Sequence, residues 1–191
     1  ANFHIYSNAI WDIKPLSAST ERVGINVTTE RKQDDKYDEY TQLVTPLFPE
    51  ELMAGIEVSN NTILFDEDGF DNVGKYYGIG IQQSDGVLFS NNAIAIVDNT
   101  SNAATVRSAL FLQGSVPEKG FIQSDRNAYW TGNSGADVVR FVESIPMLVN
   151  DKLTTGFLHS GFDGEYKELR QWRNWTGMDM NSVSNKNFMT D

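Results

Sequence analysis

The sequence contains no cysteine. Disulfides, zinc–thiolate sites, iron–sulfur clusters and cysteine nucleophiles are excluded with it. Only His4 and His159 could act as imidazole bases. Positive charge is scarce: 15 Lys and Arg stand against 26 Asp and Glu, a formal net charge of −11. A field of that sign repels nucleic-acid phosphate and anionic membrane surfaces, and it attracts cations or basic partners. No apolar run approaches the ~20 residues of a helical membrane span. The first residues, Ala1 to Tyr6, lack a basic region followed by a long apolar one, so no signal peptide is expected there. Ala1 fits removal of an initiator Met or of a leader equally well.

Catalytic patterns are missing too. No Gly-x-Ser-x-Gly elbow, phosphate loop or His-Glu-x-x-His stretch occurs. His159 and Ser160 are neighbours in the chain, and such neighbours rarely form a nucleophile–base pair. Glycoside hydrolysis needs two acids held across a cleft. Nothing marks Asp12, Glu57, Asp137 or Glu143 above the other acids. The Asn-x-Ser/Thr sites at Asn26, Asn60, Asn99 and Asn174 arise readily in a chain this rich in Asn, Ser and Thr, and no glycosylation is read from them.

What the chain does have is a core. With 191 residues, 40% apolar and 12% aromatic, it is long enough to fold as one domain without staples. Residues 22–29 alternate, with Val23, Ile25 and Val27 on one face. Short apolar runs follow at 56–58, 62–65, 75–82, 87–89, 93–97 and 105–112, and again at 121–122 and 128–130. Asn, Asp, Ser and Gly separate them. Turn spacings of 8–14 residues predict an antiparallel meander. Ser59-Asn60-Asn61 and Ser90-Asn91-Asn92 share a phrase but no period, so no repeat is read. Ser134 and Asp137 resemble a capping box ahead of Val138, Phe141, Val142 and Ile145, which predicts a helix ending near Pro146. A second helix is predicted over Glu165–Arg173, with Tyr166, Leu169 and Trp172 on one face and Asp163 as its cap. The expected fold is therefore α+β, mainly antiparallel β, a sandwich or partly open barrel with two short C-terminal helices. Residues 1–175 would form it, and 176–191 an exposed C-terminal extension.

Several stretches invite a functional reading. Asp66, Asp68 and Asp71 with Gly69 offer hard oxygen ligands for calcium, the one metal the sequence suggests. They do not match an EF-hand, whose glycine and bidentate glutamate fall elsewhere, so a polar loop is the simpler reading and no cofactor is expected. Tyr37 and Tyr40 share a helical face in a charged arm that could order on a neighbouring subunit. Gly78 and Gly80 leave one strand face bare beside Tyr77, Ile79 and Ile81, which allows another backbone or chain to approach. Arg170, Trp172, Arg173 and Trp175 form a locally basic, aromatic segment suited to a protein contact. Tyr129 and Trp130 could stack against sugar rings.

The balance favours a non-enzymatic structural or assembly protein that packs against copies of itself or other subunits, without nucleic acid or membrane. Extended arms at 30–45 and 176–191, short strands with polar turns, and the lack of cysteine are the traits. That combination resembles tailed-phage virion proteins in general (tail, baseplate, neck or capsid decoration), which implies a virion location. A carbohydrate-binding or adhesive module, which would be extracellular, is the alternative, and a small hydrolase the second alternative.

Overall fold

The computed structural model describes residues 3–11, 21–28, 44–46, 55–65, 75–82, 86–97, 106–114, 122–131, 136–143, 145–149, 152–156 and 164–185. Three strands make one coil. The first coil is β1 (Phe3–Tyr6), β2 (Ala9–Trp11) and β3 (Glu21–Thr28). After β4 (Val44–Pro46), the second is β5 (Ile56–Ser59), β6 (Thr62–Phe65) and β7 (Lys75–Gln82). The third is β8 (Val87–Ser90), β9 (Ala93–Ile96) and β10 (Val106–Gly114), and the fourth β11 (Ile122–Asp125), β12 (Ala128–Trp130) and β13 (Asp137–Glu143). Then come β14 (Ile145–Val149), β15 (Lys152–Gly156), β16 (Gly164–Tyr166), helix α1 (Leu169–Thr176) and β17 (Val183–Ser184).

Equivalent strands of successive coils stack. Sheet I runs β1-β5-β8-β11, sheet II β2-β6-β9-β12-β17 and sheet III β3-β7-β10-β13-β16. Every pairing in them is parallel except β13 with β16. The chain is a three-sided β-solenoid. A small fourth sheet, β15-β14-β4, is antiparallel.

This corrects the expected antiparallel sandwich or barrel. Parallel strands normally need a helical crossover, and the sequence offers none between its apolar runs. In a solenoid the crossover from one strand to its parallel neighbour is made by the other two sides of the coil. Spacings of 8–14 residues therefore measure one side, not one repeat. The first predicted C-terminal helix is corrected as well. Residues 137–143 and 145–149 are β13 and β14, with Val139 and Phe141 in the interior. One helix remains, starting at Leu169, and its capping residue is Glu168, which exchanges hydrogen bonds with Gln171.

Strand alternation points every second residue inward. The register stacks inward residues of like kind. Ile56, Val87 and Ile122 form one column, and Val58 and Phe89 the next. Ile63, Ile94 and Tyr129 line sheet II, while Ile25, Ile79, Leu110 and Val139 line sheet III. All are buried in one cluster. Gly78 belongs to this interior. A Cβ there would lie 2.3 Å from Ile94 Cγ2 and 2.6 Å from the Ala109 carbonyl oxygen. The core itself fills the space that the sequence leaves bare.

One corner of the solenoid is built from asparagine. Ser7, Asn60, Asn91 and Arg126 adopt positive φ of 55–58° between sheets I and II. Each is followed by an Asn: Asn8, Asn61, Asn92 and Asn127. The backbone N–H of each Asn donates to the side-chain oxygen of the next coil's ladder residue: Asn8 to Asn61 (3.1 Å), Asn61 to Asn92 (3.1 Å), Asn92 to Asn127 (2.9 Å) and Asn127 to Ser182 (2.7 Å). Asn61 Nδ2 and Asn92 Nδ2 reach back to the carbonyls of Ile5 and Val58. The residues after Asn61, Asn92, Asn127 and Ser182 close the rungs, as Thr62, Ala93, Ala128 and Val183 donate to the preceding ladder carbonyl.

Asn92→Ala leaves the N–H and Nδ2 of Asn61 and the carbonyl of Val58 without their ladder partners in a buried site. Unsatisfied buried groups cost ~1–3 kcal/mol each, so the expected loss is about 3 kcal/mol or more. Asn8→Ala, at the exposed end, should cost less than about 1 kcal/mol. Urea unfolding of both variants measures the difference.

Candidate binding surfaces

The ladder ends in a buried carboxylate. Asp179 is fully buried with φ of 54°. Its Oδ1 accepts from Asn127 Nδ2 (3.1 Å), Tyr129 OH (3.1 Å) and Ser182 Oγ, and its Oδ2 from Trp172 Nε1 (3.1 Å). Arg173 donates to the carbonyls of Asp179 and Ser182. So many donors leave this carboxylate nothing to do but hold α1 against the last coil. Leu169 and Trp172 of α1 cover the interior, with Trp172 packed against Phe141 and Tyr166. The described part of the expected C-terminal extension, residues 176–185, is built into this end: Asp179, Ser182 and Ser184 are buried and β17 pairs with β12.

The predicted site residues separate on this framework. Trp172 is core and Arg173 is part of the cap, while Arg170 and Trp175 are exposed. Gly78 packs inward, and Gly80 faces Val23 and Asn26, where a Cβ would meet them at 3.1 and 3.2 Å. Tyr129 is buried against Asp179 and offers no face to a ligand. Burial and the Asp179 charge push its phenol well above the ordinary 10. Its neighbour Trp130 is half exposed. Tyr37, Tyr40, Asp66, Asp68, Asp71 and His159 lie outside the described residues. Among the described residues no three His, Asp or Glu converge as a metal site.

Sequence reading missed two features. On sheet I, Glu57 stands between His4 (Nδ1 to Oε2, 3.0 Å) and Ser59 (Oγ donating to Oε1, 2.8 Å). The hydroxyl is held by the carboxylate and not by the imidazole, so this is not the nucleophile–imidazole pair of acyl transfer. On sheet II, Trp11, Leu64, Ala95 and Trp130 occupy one outward column. Trp11 was legible in principle: both tryptophans fall three residues after a ladder Asn.

Sheet III carries a separate aromatic pair. Tyr77 and Phe111 stack with centroids 4.3 Å apart and planes 10° from parallel, outside the main core cluster but buried. Burial, with Glu21 and Asp137 adding and Arg140 opposing, pushes the Tyr77 phenol up from 10.0 to about 12. The folded state thus holds this proton more tightly than the unfolded chain. Its contribution is complete below pH 10 and is lost as pH rises towards 12. Stability should fall across that window, Tyr129 acting in the same direction. Tyr77→Phe should remove roughly 2–3 kcal/mol of the fall while shifting stability at pH 7 by less than about 1 kcal/mol. Urea titrations at pH 7 and across the alkaline range measure both. No family model matches the chain, and no curated protein or solved structure matches it.

Proposed function

We propose that this chain is a non-enzymatic assembly protein, a rigid solenoid that joins a second copy of itself end to end within a larger particle, of the kind tailed-phage virion parts form. The observation that carries this is a set of three adjacent strand edges that no described strand covers. At the C-terminal end α1 covers the interior. At the other, β1, β2 and β3 are the terminal strands of their sheets, and among the described residues none has a strand on its outer edge.

The inward residues of the first coil are more exposed than their equivalents in the coils above. Phe3 is 55% exposed, whereas Ile56, Val87 and Ile122 in its column are at most 3% exposed. Ile5 and Ile10 are only partly buried, unlike their equivalents in the coils above. The ladder is unfinished too. Asn8 Nδ2 donates to Tyr6 of its own coil and to Asn61 Oδ1, and no preceding carbonyl among the described residues receives it as those of Ile5 and Val58 receive Asn61 and Asn92. Three adjacent edges, unpaired among the described residues and flanked by exposed Phe3 and Tyr6, support docking of further strands. Two copies meeting through these edges would form a two-fold contact. The acidic, cysteine-free composition and the rigid strand-built body support a virion part.

Light scattering on the full chain over a range of concentrations tests this. The mass should exceed the 21.4 kDa of one chain and fall to it on dilution. Phe3→Arg with Tyr6→Arg should give a monomer that melts as wild type does, since both side chains are exposed. A wild-type protein monomeric at every concentration, or a double variant that still associates, overturns the reading.

A further inference from the structure

We infer that the outer face of sheet II is a binding site for a neutral oligosaccharide. The column Trp11, Leu64, Ala95, Trp130 runs straight across four coils. Strands lie ~4.8 Å apart, so the two indoles stand about 14 Å from each other. Both are largely exposed, Trp11 at 66% and Trp130 at 51%. The neighbouring outward column is made of small residues: Ala9, Thr62, Ala93 and Ala128. Beside Trp130 these two columns line a trough of about 340 Å³ that runs from Thr62 and Leu64 across Ala93, Ala95 and Ala128 to Val183 and Asn185, and Trp11 stands one strand beyond Leu64.

The size and charge of the trough select its occupant. Its volume lies in the range of small-ligand sites, ~300–1,000 Å³. Among the described residues no charged side chain lines it, in a chain of net charge −11, so an anionic ligand would be repelled and a cationic one would find no counter-charge among them. A neutral ligand with flat apolar faces and polar edges fits. A pyranose ring lays its C–H face on the electron-rich face of an indole, while its hydroxyls point to water, to the exposed Thr62 or to Asn185. Two such platforms with an open floor between them suit several linked rings better than one. The chain has another tryptophan, Trp172, wholly inside the core, so exposure of Trp11 and Trp130 follows from their outward register rather than from want of room. This site is on the side of the solenoid and does not depend on the end-to-end contact.

The test is titration calorimetry of the full chain with neutral tetrasaccharides and disaccharides of glucose, mannose, galactose and N-acetylglucosamine, with tryptophan fluorescence followed in parallel. At least one tetrasaccharide should bind with a shift of tryptophan emission. Trp130→Ala should weaken it at least about tenfold. Trp11→Ala should weaken the tetrasaccharide by more than the matching disaccharide. Both variants should melt as wild type does, since neither indole is in the core. The inference is overturned if no saccharide of the panel binds, if Trp130→Ala binds as tightly as wild type, or if the emission change appears only on raising protein concentration, which would make the trough a contact between copies.

Discussion

The structure depends on a line of amide side chains bonded through its interior corner. Parallel sheets do not set their own register strongly: a slip of one residue exchanges inward and outward faces, but a longer even slip keeps the pattern. The asparagine ladder removes that freedom. Each ladder oxygen must meet the N–H of one residue in the coil before it, and each Nδ2 of Asn61 and Asn92 must reach one carbonyl there. These groups are buried, so a mismatch would leave several of them unsatisfied at once. One corner therefore fixes the alignment of sheets I and II, and the covalent path fixes sheet III. The positive-φ residue before each Asn turns the chain sharply enough to bring its amide inside.

The same ladder ties the cap to the body. Asn127 bonds Ser182 and Asp179, and Asp179 in turn bonds Trp172 and Tyr129. A buried carboxylate is costly unless donors surround it. Here the last ladder Asn, a core Tyr, a helix Trp and a Ser supply them. The segment after the helix looks polar and expendable in sequence because its residues are Asp, Asn and Ser. They are polar because the ladder they complete is polar. Composition alone cannot tell a buried polar network from a solvated tail.

That limit explains what was legible and what was not. The local alternation of 75–82 and 62–65 reads correctly as strand, because it depends only on neighbours within each run. Pairing is a property of residues far apart. Successive ladder residues are separated by 53, 31, 35 and 55 positions, so inserted segments hide the period that would announce a solenoid. The phrase Ser-Asn-Asn at 59–61 and 90–92 is a true repeat unit, and Asp125-Arg126-Asn127 is its degenerate copy. Helical spacing of Val138, Phe141 and Val142 misleads because β13 has buried residues at successive positions, Asp137, Val138 and Val139. The pair Tyr129 and Trp130 shows the same rule at a site: adjacent aromatics on a strand face opposite ways, so only one of them can meet a ligand.

Solenoids divide their labour by position. Inward columns serve packing, and outward columns are free to vary, so recognition falls to the outer faces and the ends. In such stacks stability is close to a sum over neighbouring repeats. Among the described residues the first coil is paired on one side only. Trp11 stands on that coil, while Trp130 stands on one held from both sides. Two platforms of unequal stiffness bind a long ligand less well than two rigid ones, because ordering the looser strand costs free energy. Anything that pairs with the outer edge of β2 would lower that cost by holding the strand in place. The end and the face are in this way joined through one strand, although they share no side chain in common use.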